Sequence, residues 1–192
     1  MSVRDEAPSI QFNDRAAWRA WLEANHAAAR GVHVISWRPR TGKPRLEYDD
    51  AIEEALCFGW VDSSGGVIDD ERAKLYFAPR RPGSVWAASN KARVERLRAA
   101  GLMTAAGESV IERAQADGSW TVLDSAERLE MPADLNAALD ARPLAAEQFA
   151  AFPPGARKMA LAWIATAKRP ETRERRVAEV AEGAASNERK PA

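Results

Sequence analysis

Apolar residues recur with a helical period through residues 14–29, DRAAWRAWLEANHAAA, where Trp18, Trp21, Leu22 and Asn25 fall at i, i+3, i+4 and i+7. The spacing predicts a helix capped by Asn13 and stopped by Gly31. GVHVISW at 31–37 then alternates as a strand does, and residues 10–12 read as a shorter one. RPRTGKPR, residues 38–45, is a loop carrying Arg38, Arg40, Lys43 and Arg45. Asp50 and Glu53 have the spacing of a capping box, Ile52, Ala55 and Leu56 share a face, and Gly59 suits the C′ position of that second helix. GWVDS emerges from it as a strand, SSGGVIDDER at 63–72 reads as a turn region, and AKLYFAP at 73–79 as a further strand.

The pattern turns helical again from Ser84, with Trp86, Asn90, Val94 and Leu97 along one stripe. Thr104 is placed to cap a helix ending near Asp117 and Gly118. Residues 125–130 are polar and weakly patterned, which puts a module boundary there; Pro132 then suits a first helical position, and short helices follow, broken at Pro143 and at Pro153 and Pro154. The expectation is an α+β chain: a small, mainly antiparallel or mixed sheet with packed helices over residues 9–124, then an all-helical C-terminal module over 130–183, with flexible ends at 1–8 and 184–192.

Composition narrows the class. In 192 residues, 46% hydrophobic and 29% charged residues are the proportions of a globular protein. Basic and acidic residues balance at 28 each, which counts against a dedicated nucleic-acid partner. No apolar run reaches the ~18 residues of a membrane span, and MSVRDEAPS has no apolar signal core. A single cysteine fits a reducing compartment. The expected location is the cytoplasm.

Candidate chemistry is sparse. Cys57 stands at the C-terminal, negative end of its helix, which raises a thiol pKa, so it reads as a packed structural thiol rather than a nucleophile. His26 and His33 show no metal-ligand spacing, no phosphate-binding glycine loop is present, and no metal, cofactor or catalytic residue is assigned. Two features remain. Asn25 and Asn90 lie on otherwise apolar stripes, where each amide either bonds neighbouring backbone or points into a pocket. In PRRPGSVW, residues 79–86, two arginines precede a Pro-Gly turn and Ser84 stands at the expected helix start: an anion site, or a simple N-cap with Arg80 paired to Asp62 or Asp69.

WRAWLEANH, EEALCFGWVDS, PRRPGSVWAASN, GLMTAAGESVIERAQADGSW and AKRPETRERR together resemble the YdeI/OmpD-associated, or bacteriocin-protection, family, in order from about Trp18 to about Val180. The resemblance implies protection against bacteriocins or cationic peptides, and association with an outer-membrane porin. It also marks Trp60, Asp62, Arg80, Ser84, Trp86 and Asn90 as motif residues. The expected function is a binding or stress-protection protein that takes a small anionic ligand, or a protein partner, at the cleft between GWVDS and PRRPGSVW. The alternative is an enzyme on a small anionic substrate, with Asp62 as general base.

Overall fold

In the computed structural model, residues 4–191 are described; the expected flexible ends fall partly outside this range, at 1–3 and 192. The chain is α+β and divides into two compact units, residues 1–84 with 89–117, and residues 85–88 with 118–192.

The first unit is built on a mixed four-stranded sheet in the order β1-β2-β4-β3, from β1 (Ser9–Gln11), β2 (Val32–Trp37), β3 (Trp60–Val67) and β4 (Arg72–Pro79). β1 runs parallel to β2, and the other pairings are antiparallel. Helix α1 (Arg15–Asn25) follows β1. Its N-cap is Asp14, not Asn13: Asp14 has extended backbone and accepts from Ala17 N at 2.8 Å. Trp18 and Leu22 are fully buried. Trp18 stacks on Trp21 at 5.4 Å and tilts against Phe77 of β4 at 5.3 Å, and Trp21 meets Trp60 edge-on at 5.8 Å. Each such ring is worth roughly 1.5–3 kcal/mol of burial, so this cluster is the main adhesive between α1 and the sheet. The indole N–H groups are satisfied, Trp18 by Ala51 O at 3.0 Å and Trp60 by His26 O at 3.3 Å.

Helix α2 (Tyr48–Cys57) starts earlier than its capping-box spacing suggests, with Glu47 as N-cap. Asp50 and Glu53 lie inside the helix and bind Arg15 of α1 at 2.9 and 3.0 Å. α3 (Ala88–Ala99) begins four residues after the expected Ser84, which sits instead in a turn closed by its N–H to Arg81 O at 3.2 Å. α4 (Ala105–Ala116) is capped by Thr104 as the sequence indicates. The Thr104 hydroxyl also donates to Cys57 O at 2.6 Å, so one residue caps α4 and satisfies the end of α2. The close approach is why residue 107 is glycine: a Cβ there would lie 2.3 Å from Cys57 O.

β3 is the largest departure from expectation. It continues through Ser63, Ser64, Gly65 and Gly66 to Val67, residues whose composition reads as turn. Pairing with β4 carries it, and the register slips by one residue: Asp62 faces Phe77 but Gly65 faces Leu75, a β-bulge in β3.

The second unit is helical: α5 (Asp124–Glu127), α6 (Ala133–Asp140), α7 (Ala145–Ala151), α8 (Pro154–Ala165) and α9 (Pro170–Ala185). Segment 125–130 belongs to this unit, with Ala126 buried in its core. Leu135, Leu139, Phe149, Leu161 and Ile164 pack around α9, whose Val177, Val180, Ala181 and Ala184 fall at i, i+3, i+4 and i+7. Arg173 of α9 grips Asp134 of α6 through Nε at 2.7 Å and Nη2 at 3.0 Å.

Candidate functional site

One face of the sheet carries Val32, Val34 and Ser36 of β2 with their β4 partners Phe77, Leu75 and Ala73. The α1 aromatics cover its Phe77 end. Towards Ser36 and Ala73 the cover thins to a 3-10 turn (Pro39–Thr41) and the segment leading into α2, leaving a cavity of about 380 Å³. Val34, Leu75 and Phe77 form its floor, with Leu46 and Ala51 beside them. The segment is tied down by Ser36 Oγ donating to Leu46 O at 2.8 Å.

The polar lining is cationic. Arg38, Arg45 and Tyr48 border the cavity, and no Asp or Glu is among its described lining. Arg38 follows Ser36 by two residues on the extended chain, its N–H bonded to Glu71 O at 2.8 Å, so its side chain emerges on the cavity's face. Arg45 pairs with Glu47 at 2.7 Å, whereas Arg38 has no carboxylate partner among the described residues. Lys74 also borders the cavity, but its register with Gly66 turns its side chain to the other face. A second cavity, about 630 Å³, opens on that other face beside Tyr76, Arg30 and Arg81. One of its walls is Arg4, adjacent in sequence to residues outside the described range, so the smaller and wholly described cavity is the better-founded site.

Tyr48 links this cavity to the residues singled out in the sequence. It is 59% exposed, and partial burial, then the negative charge of Asp62, raise its pKa, while Arg93 opposes the shift. Asp62 shares the inward side of β3 with Trp60, since their partners Phe77 and Pro79 alternate with Ala78. Arg80 is buried and lies within the field of Asp62; burial lowers its pKa to about 10 against the stabilising pull of that carboxylate. Asp69, the other partner considered for Arg80, binds Arg72 at 2.6 Å.

The six expected site residues therefore divide. Trp60 is 1% exposed, within the aromatic cluster. Asp62 and Arg80 are electrostatic neighbours; Asn90 instead accepts at its Oδ1 from Arg93 Nη1 at 3.3 Å, and Arg93 binds Asp49 at 2.6 Å. Ser84 is a turn residue without the expected helix N-terminus. Trp86 belongs to the second unit, its ring 4.8 Å from Trp120. None of the six lines the 380 Å³ cavity. The residues that do were missed, although Arg38 and Arg45 belong to the cation-rich loop RPRTGKPR; Tyr48 left no signal.

The other candidates resolve as structure. Asn25 donates to Trp21 O at 2.7 Å, and His26 Nδ1 lies 2.9 Å from Leu22 O, both finishing α1. Cys57 is fully buried, and burial, reinforced by the charge of Glu54, pushes its thiol up to about 11. Among the described residues no group of three or more His, Cys, Asp or Glu side chains is placed to hold a metal ion, and no helix is long and apolar enough to cross a membrane.

Comparison with known families separates the two halves. Residues 128–187 match the family described as Bacteriocin-protection, YdeI or OmpD-Associated, so that resemblance is shown over the C-terminal part of the chain. The motifs WRAWLEANH, EEALCFGWVDS and PRRPGSVWAASN fall instead within residues 10–110, which match the family described as Domain of unknown function (DUF8412). No curated protein and no solved structure matches the chain significantly. The second match spans more than half the chain, and the chain belongs to the DUF8412 family.

Proposed function

We propose that this member of the DUF8412 family is a binding protein whose first unit holds a small amphipathic anion in the cavity between β2, β4 and the start of α2. The observation that carries the reading is the pairing of an apolar floor, Val34, Leu75 and Phe77, with an Arg38 guanidinium that has no carboxylate partner among the described residues. Apolar pockets with a few placed polar groups are the usual form of small-molecule sites. Sequestering such an anion in the cytoplasm is compatible with a protective role of the kind named in the description of the C-terminal family.

A titration with 8-anilinonaphthalene-1-sulfonate, with displacement by undecanoate, tests it. A charge-assisted bond to Arg38 is worth about 1.5–3 kcal/mol, so Arg38→Ala should weaken binding by roughly ten- to a hundredfold. Arg40→Ala should leave it unchanged, because Arg40 is exposed and donates to Asp70 O at 3.0 Å. Multiple weak dye sites, or equal affinity in the Arg38 variant, would sink the proposal.

The electrostatic influence of Asp62 on Tyr48, which borders the cavity, favours one second reading, an enzyme with Asp62 as general base. It requires turnover of an anionic substrate that Asp62→Asn abolishes while binding persists.

A further inference from the structure

Position 65 of β3 is a glycine that its backbone does not require. Gly59, by comparison, has φ +73 and no room, since a Cβ there would lie 2.5 Å from Val110 Cγ2. Gly65 has no left-handed φ, and an added Cβ would meet Lys74 O at 3.3 Å and Leu75 Cδ1 at 3.5 Å, a fit needing adjustments of a few tenths of an ångström. Glycine weakens a strand interior, so its presence in β3 calls for another reason.

The bulge supplies one. Trp60 and Asp62 point towards the helices, and simple alternation would make Ser64 the next inward residue. The extra residue between Asp62 and Gly65 instead makes Gly65 the partner of Leu75, on the cavity side. A hydrogen atom thus stands where a side chain would fill the space. Across the slot, Leu46 is held to β2 by the Ser36 hydroxyl, which limits how far that wall can move from the sheet.

We infer that Gly65 is the specificity-determining residue of this cavity, and that the ligand is an aromatic carboxylate whose flat ring lies over Gly65 and Leu75 with its anionic group at Arg38. The inference rests on the anion-binding reading above and adds the shape of the apolar body. A pleated strand bare of side chains offers a plane, a tethered opposite wall favours a thin occupant, and the guanidinium of Arg38 and the ring of Tyr48 are themselves planar partners.

The test is calorimetric binding of 2-naphthoate and of undecanoate, which match in carbon number and charge but differ in shape. The intact protein should bind 2-naphthoate at least about tenfold more tightly, a preference of ~1.4 kcal/mol. Gly65→Val should weaken 2-naphthoate by about tenfold or more, with a melting curve recorded alongside to show that the variant is folded. Gly65→Ala gives a second reading with the smallest possible intrusion and should fall between. Ser64→Val, at an exposed position, should change nothing. Undecanoate bound as tightly, with its Arg38 dependence intact, overturns the ring inference and leaves the anion-binding reading standing. Unchanged 2-naphthoate affinity in both Gly65 variants overturns the role of Gly65. Failure of both acids to bind overturns the inference and the reading beneath it.

Discussion

Glu54 is the most deeply buried acid in the first unit's ionic cluster, with only 2% of its surface exposed. Its Oε1 accepts from Arg15 Nε at 2.6 Å and its Oε2 from Arg19 Nη1 at 2.8 Å, so one carboxylate of α2 clamps two successive turns of α1. Glu54→Gln keeps the shape and removes the charge. Breaking a buried pair from one side costs about 3–5 kcal/mol, chiefly because the remaining charge is stranded. Here the stranded charges are two arginines whose side chains stay 34% and 29% exposed. Arg15 also keeps Asp50 and Glu53, and Arg19 keeps Glu23. The loss should therefore lie near the lower end, about 3 kcal/mol, or on the order of 10–15 °C in the unit's melting temperature. The readout is tryptophan fluorescence in urea and on heating, to which Trp18, Trp21 and Trp60 of this unit contribute. Glu53→Gln is the control: its carboxylate is 18% exposed and bridges Arg15 and Arg96, and its loss should cost under about 1 kcal/mol. If the two variants lie within about 0.5 kcal/mol of each other, burial of the Glu54 clamp is not what holds α1 to α2.

Cys57 should label only through opening of the fold: with the thiol fully buried and its pKa pushed up to about 11, a disulfide reagent at pH 8 should react more slowly than with unfolded chain by on the order of a thousandfold or more. Rates within about tenfold of the unfolded chain would contradict that burial. Gly107→Ala should destabilise the first unit by more than about 2 kcal/mol in urea titration, since the methyl meets the Cys57 carbonyl rather than a yielding side chain. A melt unchanged from that of the parent would mean α4 does not seat on α2 this closely.

Much of the fold can be read from local signals because they agree with the tertiary structure. Thr104 has the side chain of an N-cap and is one, and 31–37 has the alternation of a strand whose Val32 and Val34 are buried on one side. Where the reading failed, contacts distant in sequence outweighed the local preference. Asp50 and Glu53 have capping-box spacing, but Arg15, 35 and 38 residues away, claims both carboxylates. SSGG has turn composition, yet β4 supplies a continuous partner from Arg72 to Pro79, and pairing with it outweighs the weak strand propensity of serine and glycine. The start of α3 moved because Ser84 closes a turn with Arg81, while Trp86 lies against Trp120 of the second unit.

The site was less legible than the fold for a related reason. A cavity is a place the chain leaves empty, and the sequence shows only what is present. Asn90 drew notice as an amide on an apolar stripe, and Asp62 and Arg80 through the PRRPGSVW run and the family motifs; Asp62 acts electrostatically on both Arg80 and Tyr48, but none of the three lines the opening. The opening itself depends on parity. Ser36 and Arg38 face it because β2 continues in register past Trp37, and Gly65 faces it only because one extra residue enters β3 after Asp62. Moving the bulge by one position would turn the serine inward and close part of the slot without changing the composition at all. Substitutions at Gly65 therefore ask more about this protein than substitutions at its conspicuous tryptophans, since losing Trp18 or Trp60 would unseat α1 from the sheet whatever the cavity binds.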